Sequence, residues 1–275
     1  MHYKVNVLQI DDFGRPSGIL AINKPVDITS HDVVYKVRKA LNTRVVGHAG
    51  ALDPFATGLI IIMVGKATKL ADTYIAHDKE YKAKILFGIS TDSADTEGKV
   101  TEVMEVQNLD DLENVLPKFV PEYDQFVPVF SSVKVNGDKL RELARKYDRF
   151  ELSDRDGKRF VTFHRENDDK EVELPQHHCR IPKLELLGTE TIDISKTEFG
   201  KKNVNELAGI TQLPTADILV ACSKGTYIRA LAEDIGNAME PQLPAMLIGL
   251  ERTRVGEISI DQALEIDAIG NLIAG

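Results

Sequence analysis

Two rhythms of apolar residues alternate along this chain, one of period two and one of helical period, and their order is that of a mixed α/β protein. Residues 18–23 form a short apolar run that ends at Lys24-Pro25, as a buried strand would. Thr29 followed three residues later by Asp32 is a capping-box pattern, and Val33, Val34, Val37, Ala40 and Leu41 then recur at helical spacing beside Lys36, Arg38 and Lys39. The helix so predicted has one apolar face and one basic face. Residues 59–64 are the longest apolar run, far short of the roughly 20 residues a spanning helix needs, so they predict a buried strand. Tyr81, Ala83, Ile85 and Phe87 alternate with Lys82 and Lys84, the signature of a half-buried strand. A capped helix is expected over 108–116, an extended apolar segment over 125–132, a buried strand over 218–222 and a helix over 226–236 that Gly236 closes. From about 139 to 178 the chain is charge-dense and poor in apolar periodicity after Leu143, which predicts a mobile arm or surface excursion in at least part of it.

The apolar share of 43% and charged share of 28% exclude bulk disorder, collagen-like repeats and a membrane-spanning protein. With 34 Lys+Arg against 43 Asp+Glu the net charge is −9, which argues against a polyanionic partner until the charge is read locally. Residues 24–69 carry seven cations and three anions, and residues 134–159 carry nine and six, whereas residues 78–124 carry five and twelve. The two basic stretches can meet either solvent or phosphate. Cys179 and Cys222 are too few for a disulfide framework and no signal segment opens the chain, so a cytoplasmic location is expected. His177-His178-Cys179 has none of the usual metal-ligand spacings, and no metal is expected there.

Candidate chemistry collects in Gly47-His48-Ala49-Gly50-Ala51-Leu52-Asp53-Pro54-Phe55-Ala56-Thr57-Gly58. Three glycines and a proline forbid a regular element here, and the loop joins a basic helix to a core strand while carrying one histidine and one carboxylate. Asp53 can be a reactive group on a rigid scaffold or an ordinary Asp-Pro turn. Tyr81 can be a core tyrosine with its hydroxyl satisfied or part of a site. Gly65-Lys66-Ala67-Thr68 is not a phosphate loop, because Gly58 lies too far upstream and Ala67 replaces the hydroxyl that holds magnesium. Arg229 falls in a first helical turn, where the helix dipole disfavours a cation, so a carboxylate is expected beside it.

Taken together, Gly18-Ile-Leu-Ala-Ile-Asn-Lys-Pro25, the Asp53 loop, Lys79-Glu-Tyr81, Phe130-Ser-Ser-Val-Lys134, Cys222-Ser-Lys-Gly-Thr-Tyr-Ile-Arg229 and Arg252-Thr-Arg-Val-Gly256 resemble the TruB-type tRNA pseudouridine synthases in both order and spacing. The resemblance runs from about residue 18 to 256. It implies an α+β fold, the pseudouridine synthase catalytic fold, with a largely antiparallel central sheet, flanking helices and an active-site cleft. A single catalytic domain over 1–275 is expected, with the charged arm at about 139–178. The family usually continues into a small C-terminal, PUA-like RNA-binding domain, whereas 19 residues follow Gly256 here, so no complete domain of that kind is expected.

The activity the resemblance implies is isomerisation of the T-loop uridine of tRNA, position 55, to pseudouridine. The glycosidic bond is cleaved and re-formed after base flipping, with no cofactor and no metal. Asp53 would be the catalytic carboxylate, as a nucleophile or as a base at the sugar. Arg229 would pair with it, and Tyr81 would stack on the uracil and take part in proton removal at C5. His48 would insert where the flipped nucleotide has left its stack, Tyr227 and Leu250 would line the pocket, and Lys24, Arg38 and Lys39 would contribute to substrate binding. The partner implied is the T-arm of tRNA, bound by a monomer without a guide RNA and without a membrane. Glu251 departs from the basic residue common at its position, and nothing is carried over between 147 and 179. The alternative is a tRNA-folding chaperone for which catalysis is secondary.

Overall fold

A computed structural model describes residues 3–166 and 168–272. At its centre, strand Lys79–Phe87 pairs antiparallel with Gln212–Cys222 on one side and Ala245–Val255 on the other, and Lys183–Asp193 extends the sheet beyond Gln212–Cys222. A second set of strands is led by Pro16–Lys24 and Thr57–Val64, which are antiparallel over seven residue pairs. The two sets meet through one short parallel contact, Glu251 opposite Thr57 and Arg252 opposite Gly58, so the sheet is nearly divided along this seam. Gly58 is required there: its φ is +97°, and a Cβ would stand 2.5 Å from the Arg252 carbonyl oxygen.

The mixed α/β architecture with its largely antiparallel sheet is the expected one. Tyr81, Ala83, Ile85 and Phe87 do share one face, which packs into the main core with Leu250, Val220 and Ile218. Thr29 caps helix Ser30–Ala40 and completes the capping box with Asp32, and Val33, Val34 and Val37 are buried. Ala40 is exposed, outside the apolar stripe. Helix Ile228–Asn237 packs on strand Ala245–Val255 over the same core. Residues 65–70, whose spacing excludes a phosphate loop, form a 3-10 helix.

In the charged region, where a mobile arm or a surface excursion is expected, the chain forms regular elements. Leu140–Lys146 is a helix, and Arg149–Arg155, Lys158–Arg165 and Asp168–Glu173 form an antiparallel meander. Val161, Phe163, Val172 and Leu174 on the meander bury themselves against Leu140, Leu143 and Tyr147, giving the region a small core of its own. The apolar positions Val161, Phe163 and Val172 alternate with outward-facing residues, and they gain a core only through Leu140, Leu143 and Tyr147 of the preceding segment. Among the described residues no helix is long and apolar enough to cross a membrane.

Candidate active site at the seam of the sheet

Asp53 lies in the loop that enters the seam, and the loop is fastened from three sides. Ser30, the first residue of helix Ser30–Ala40, accepts from the Leu52 N–H at 2.8 Å and donates to the Leu52 carbonyl at 3.0 Å. Lys24 donates to the carbonyls of Pro25, Ile28 and Pro54 at 2.9, 2.7 and 3.1 Å. Arg252 reaches the other end: Nε donates to Leu59 O at 2.6 Å and Nη2 to Gly50 O at 3.0 Å. The residue before the catalytic candidate, the residue after it and both flanks are thus held by side chains that leave Asp53 itself free to pair.

Its partner is Arg229, whose Nε donates to Asp53 Oδ2 at 2.9 Å. The expectation of a carboxylate beside this first-turn arginine is met. The Arg229 side chain is 6% exposed and that of Asp53 43%, so the pair presents its carboxylate outward and keeps the guanidinium inside. Nη1 and Nη2 donate to Ser93 O at 2.6 Å and Phe130 O at 3.0 Å, which fixes the planar fork in one orientation. Behind it lies a second carboxylate, Asp95, 3.5 Å from Nε and buried. Burial pushes the Asp95 carboxyl up, and the Arg229 guanidinium and the Ser93 hydroxyl at 2.5 Å pull the other way.

Tyr81 is buried on the same face, opposite Arg252 across the strand pair, and burial raises its hydroxyl above the usual tyrosine range. Leu250 and Tyr227 border the same region, Tyr227 half-buried and packed against the meander's core. His48 is partly buried, which lowers its pKa, and its Nδ1 finds no hydrogen-bond partner among the described residues.

Two of the residues expected at the substrate are turned elsewhere. Lys24 is 0% exposed and spends its ammonium on three loop carbonyls, so it supports the loop from beneath. Desolvation brings it down to about 8. Arg38 folds back to donate to Val46 O at 3.0 Å, because the strand that follows its helix leaves that carbonyl within reach. Lys36 and Lys39 remain as the exposed cations of the basic face. Asp95, Lys79 and Arg252 were not singled out from the sequence as site residues, since nothing local marks an ion that only distant chain segments surround. His177, His178 and Cys179 alternate along one strand, with Cys179 buried and His178 exposed, so they do not converge.

A cavity of about 620 Å³ adjoins the site without containing Asp53. Phe55, Thr57 and Leu250 connect it to the loop, and Lys82, Lys84, Asp217 and Glu251 lie on the sheet face opposite Tyr81. At the Asp53–Arg229 pair an outward-facing carboxylate meets a buried guanidinium, an arrangement the cavity itself does not offer.

Residues 38–158 match the family described as TruB family pseudouridylate synthase (N terminal domain). The chain is 37% identical over 263 residues to tRNA pseudouridine synthase B of Parabacteroides distasonis, covering 93% of this chain and 92% of that protein. It is 35% identical over 260 residues to the protein of the same name from Staphylococcus saprophyticus, covering 93% and 72%. Among solved structures it superposes on a Cbf5-Nop10-Gar1 complex with a TM-score of 0.58 at 20% identity, over 96% of this chain and 58% of that one. An H/ACA RNP bound to a substrate RNA containing 2'-deoxyuridine gives 0.56 at 19%, over 92% and 52%. The chain therefore spans little more than half the length of those structures, and at such identity the likeness is one of fold. With more than a third of its residues shared across nearly the full length of a curated relative, the chain belongs to the TruB family of pseudouridine synthases.

Proposed function

We propose that this chain is an isomerase that converts a uridine of tRNA to pseudouridine, and that its target is the T-loop uridine at position 55. The observation that carries this reading is the Asp53–Arg229 pair at 2.9 Å, open on the carboxylate side and closed on the guanidinium side. In the reaction the bond from ribose C1′ to N1 breaks, the uracil turns, C1′ joins C5 and the C5 proton leaves. Nothing is oxidised and no water is consumed. The carboxylate attacks carbon or takes a sugar proton, and the Arg229 guanidinium 2.9 Å away holds it in place for either role.

Asp53 reaches a glycosidic bond only if the nucleotide leaves its stack, at a cost of a few kcal/mol that aromatic stacking on Tyr81 offsets in part. The Tyr81 hydroxyl, raised by burial, stays a neutral phenol at physiological pH, so the ring serves first as a platform. Lys36 and Lys39 supply the phosphate-facing charge that the acidic chain as a whole lacks. Charge reversal at Lys39 is expected to weaken RNA binding and reduce its salt slope by about 1.

The test is pseudouridine formation on an unmodified T-arm stem-loop and on full-length tRNA, with wild type and Asp53→Asn and no guide RNA. Product from wild type alone supports the reading. Binding without product from wild type overturns it, and an Asp53→Asn variant that still accelerates tRNA folding as wild type does would favour a chaperone.

A further inference from the structure

The helix that presents Arg229 has no side-chain cap of its own: Tyr227 occupies the N-cap position and makes no capping bond. The missing partner comes from about a hundred residues away. Gln125 is 0% exposed, and its amide meets both backbone groups of Tyr227, accepting from the N–H at 2.8 Å and donating to the carbonyl at 3.0 Å. A carboxamide is the side chain that copies a peptide group, so this is a single rung of strand pairing made by a side chain.

Gln125 belongs to a two-stranded ribbon, Glu122–Phe126 with Gln176–Arg180, in which it stands opposite His177. His177 holds the same turn one step earlier, its Nε2 3.0 Å from Lys224 O. The ring lies so close that a Cβ on Gly225, at φ +84°, would come within 2.6 Å of it. At the ribbon's end the Arg180 N–H donates to Ser223 Oγ at 3.1 Å and the Ser223 N–H donates to Arg180 O at 2.9 Å. Every fixing contact falls between Ser223 and Tyr227, just ahead of Arg229.

We propose that this ribbon is a clamp for the turn 223–227 and that Gln125 is a positioning residue for the reaction, setting the first helical turn so that Arg229 meets Asp53. The inference rests on the activity proposed above. Arg229 takes its three hydrogen-bond acceptors, on Asp53, Ser93 and Phe130, from three different segments, so a rotation of its helix breaks all of them together. Misplacement of about 1 Å in such a site costs about a hundredfold in rate.

The experiment compares wild type, Gln125→Leu and Gln125→Glu on the T-arm stem-loop, well below each variant's melting temperature, with kcat and KM measured separately. Leucine removes both bonds and glutamate keeps only the acceptor. The expected result is a kcat lowered tenfold to a hundredfold for Gln125→Leu with KM within about threefold of wild type, and an intermediate kcat for Gln125→Glu. A side chain that served stability alone would lower the melting temperature and leave kcat within twofold, which would overturn the proposal. If Gln125→Leu does not fold, the kcat of Gln125→Glu decides by the same criterion. If wild type itself makes no pseudouridine, the activity reading fails and the clamp is judged by hydrogen exchange of the Arg229 Nε–H: faster exchange in either variant supports it, and unchanged exchange overturns it.

Discussion

Around Asp53 and across the meander the molecule handles charge in opposite ways. At the seam Lys24, Lys79 and Arg252 are buried and satisfied by backbone carbonyls, three for Lys24, two for Lys79 from Ile75 and His77, and Leu59 and Gly50 for Arg252. Arg229 alone of this group is paired with carboxylates. On the meander cation meets anion in half-exposed pairs, Arg155 with Glu171 at 2.7 Å, Lys158 with Glu173 at 3.0 Å and Lys170 with Asp138 at 2.6 Å. A buried cation costs desolvation free energy and is tolerated only in a geometry that satisfies every donor. The seam therefore spends stability on position, and the meander carries charge that is replaceable one pair at a time.

The largest effect should follow from removing the outward-facing carboxylate that Arg229 holds at the seam. Asp53→Asn keeps shape and hydrogen-bonding capacity toward Arg229 and loses the charge, so pseudouridine formation is expected to fall by at least about three orders of magnitude while tRNA binding persists. A single-turnover assay with a filter-binding control checks this. Retained activity would show that the pair is structural, and the contrast between seam and meander would lose its functional meaning.

Next comes Arg252→Met, which preserves the aliphatic stem and strips the carbonyls of Leu59 and Gly50 of their donor. One buried and one partly buried acceptor left unsatisfied predict a loss on the order of 3 kcal/mol in chemical denaturation. Activity should fall as well, since the same bonds fasten both ends of the Asp53 loop. A loss below about 1 kcal/mol would mean that water replaces the guanidinium, and that the seam is no stricter than the surface.

How much of this could be read in the sequence depends on the range over which each residue finds its partners. Helix Ser30–Ala40 was legible because its cap, Thr29 with Asp32, and its apolar stripe are local. Arg229 was legible through a conflict, a cation at the wrong end of a helix, and the structure resolves that conflict with Asp53. The meander's strands were not legible because the packing partners of Val161, Phe163 and Val172, namely Leu140, Leu143 and Tyr147, belong to another element. Arg252 stood in a recognisable motif with no role attached to it, and Asp95 and Gln125 gave no local sign at all. Gln125 looks like any polar residue in a strand until Tyr227, 102 residues on, is brought against it.

Lys24 adds a pH dependence whose sign distinguishes a buried ammonium from a surface one. Desolvation lowers it from 10.5 to about 8 in the folded state, so the unfolded chain binds that proton more tightly. The folded state carries the full penalty below pH 8 and is relieved of it as pH rises from about 8 toward 10.5. Wild type should therefore gain stability relative to Lys24→Met across that window, by about 2 kcal/mol, in urea titrations at pH 7 and pH 10. Parallel slopes for the two proteins would place the Lys24 ammonium in contact with water.

The smallest effect should come from the meander, and its smallness is what the comparison requires. The Lys158 and Glu173 side chains are 58% and 49% exposed, and the pair joins neighbouring strands whose buried contacts are made by Val161, Phe163 and Val172 instead. Lys158→Ala should change stability by less than about 0.5 kcal/mol, with that change shrinking further as salt is raised from about 0.05 to about 0.5 M, which shortens the Debye length about threefold. An exposed ammonium on a flexible stem loses nearly as much side-chain entropy on pairing as it gains in attraction, so the net is close to zero. A cost above 1 kcal/mol that survives high salt would mean that the pair fixes the meander's register, and the meander would then have to be counted with the seam as a region where charge is used for position.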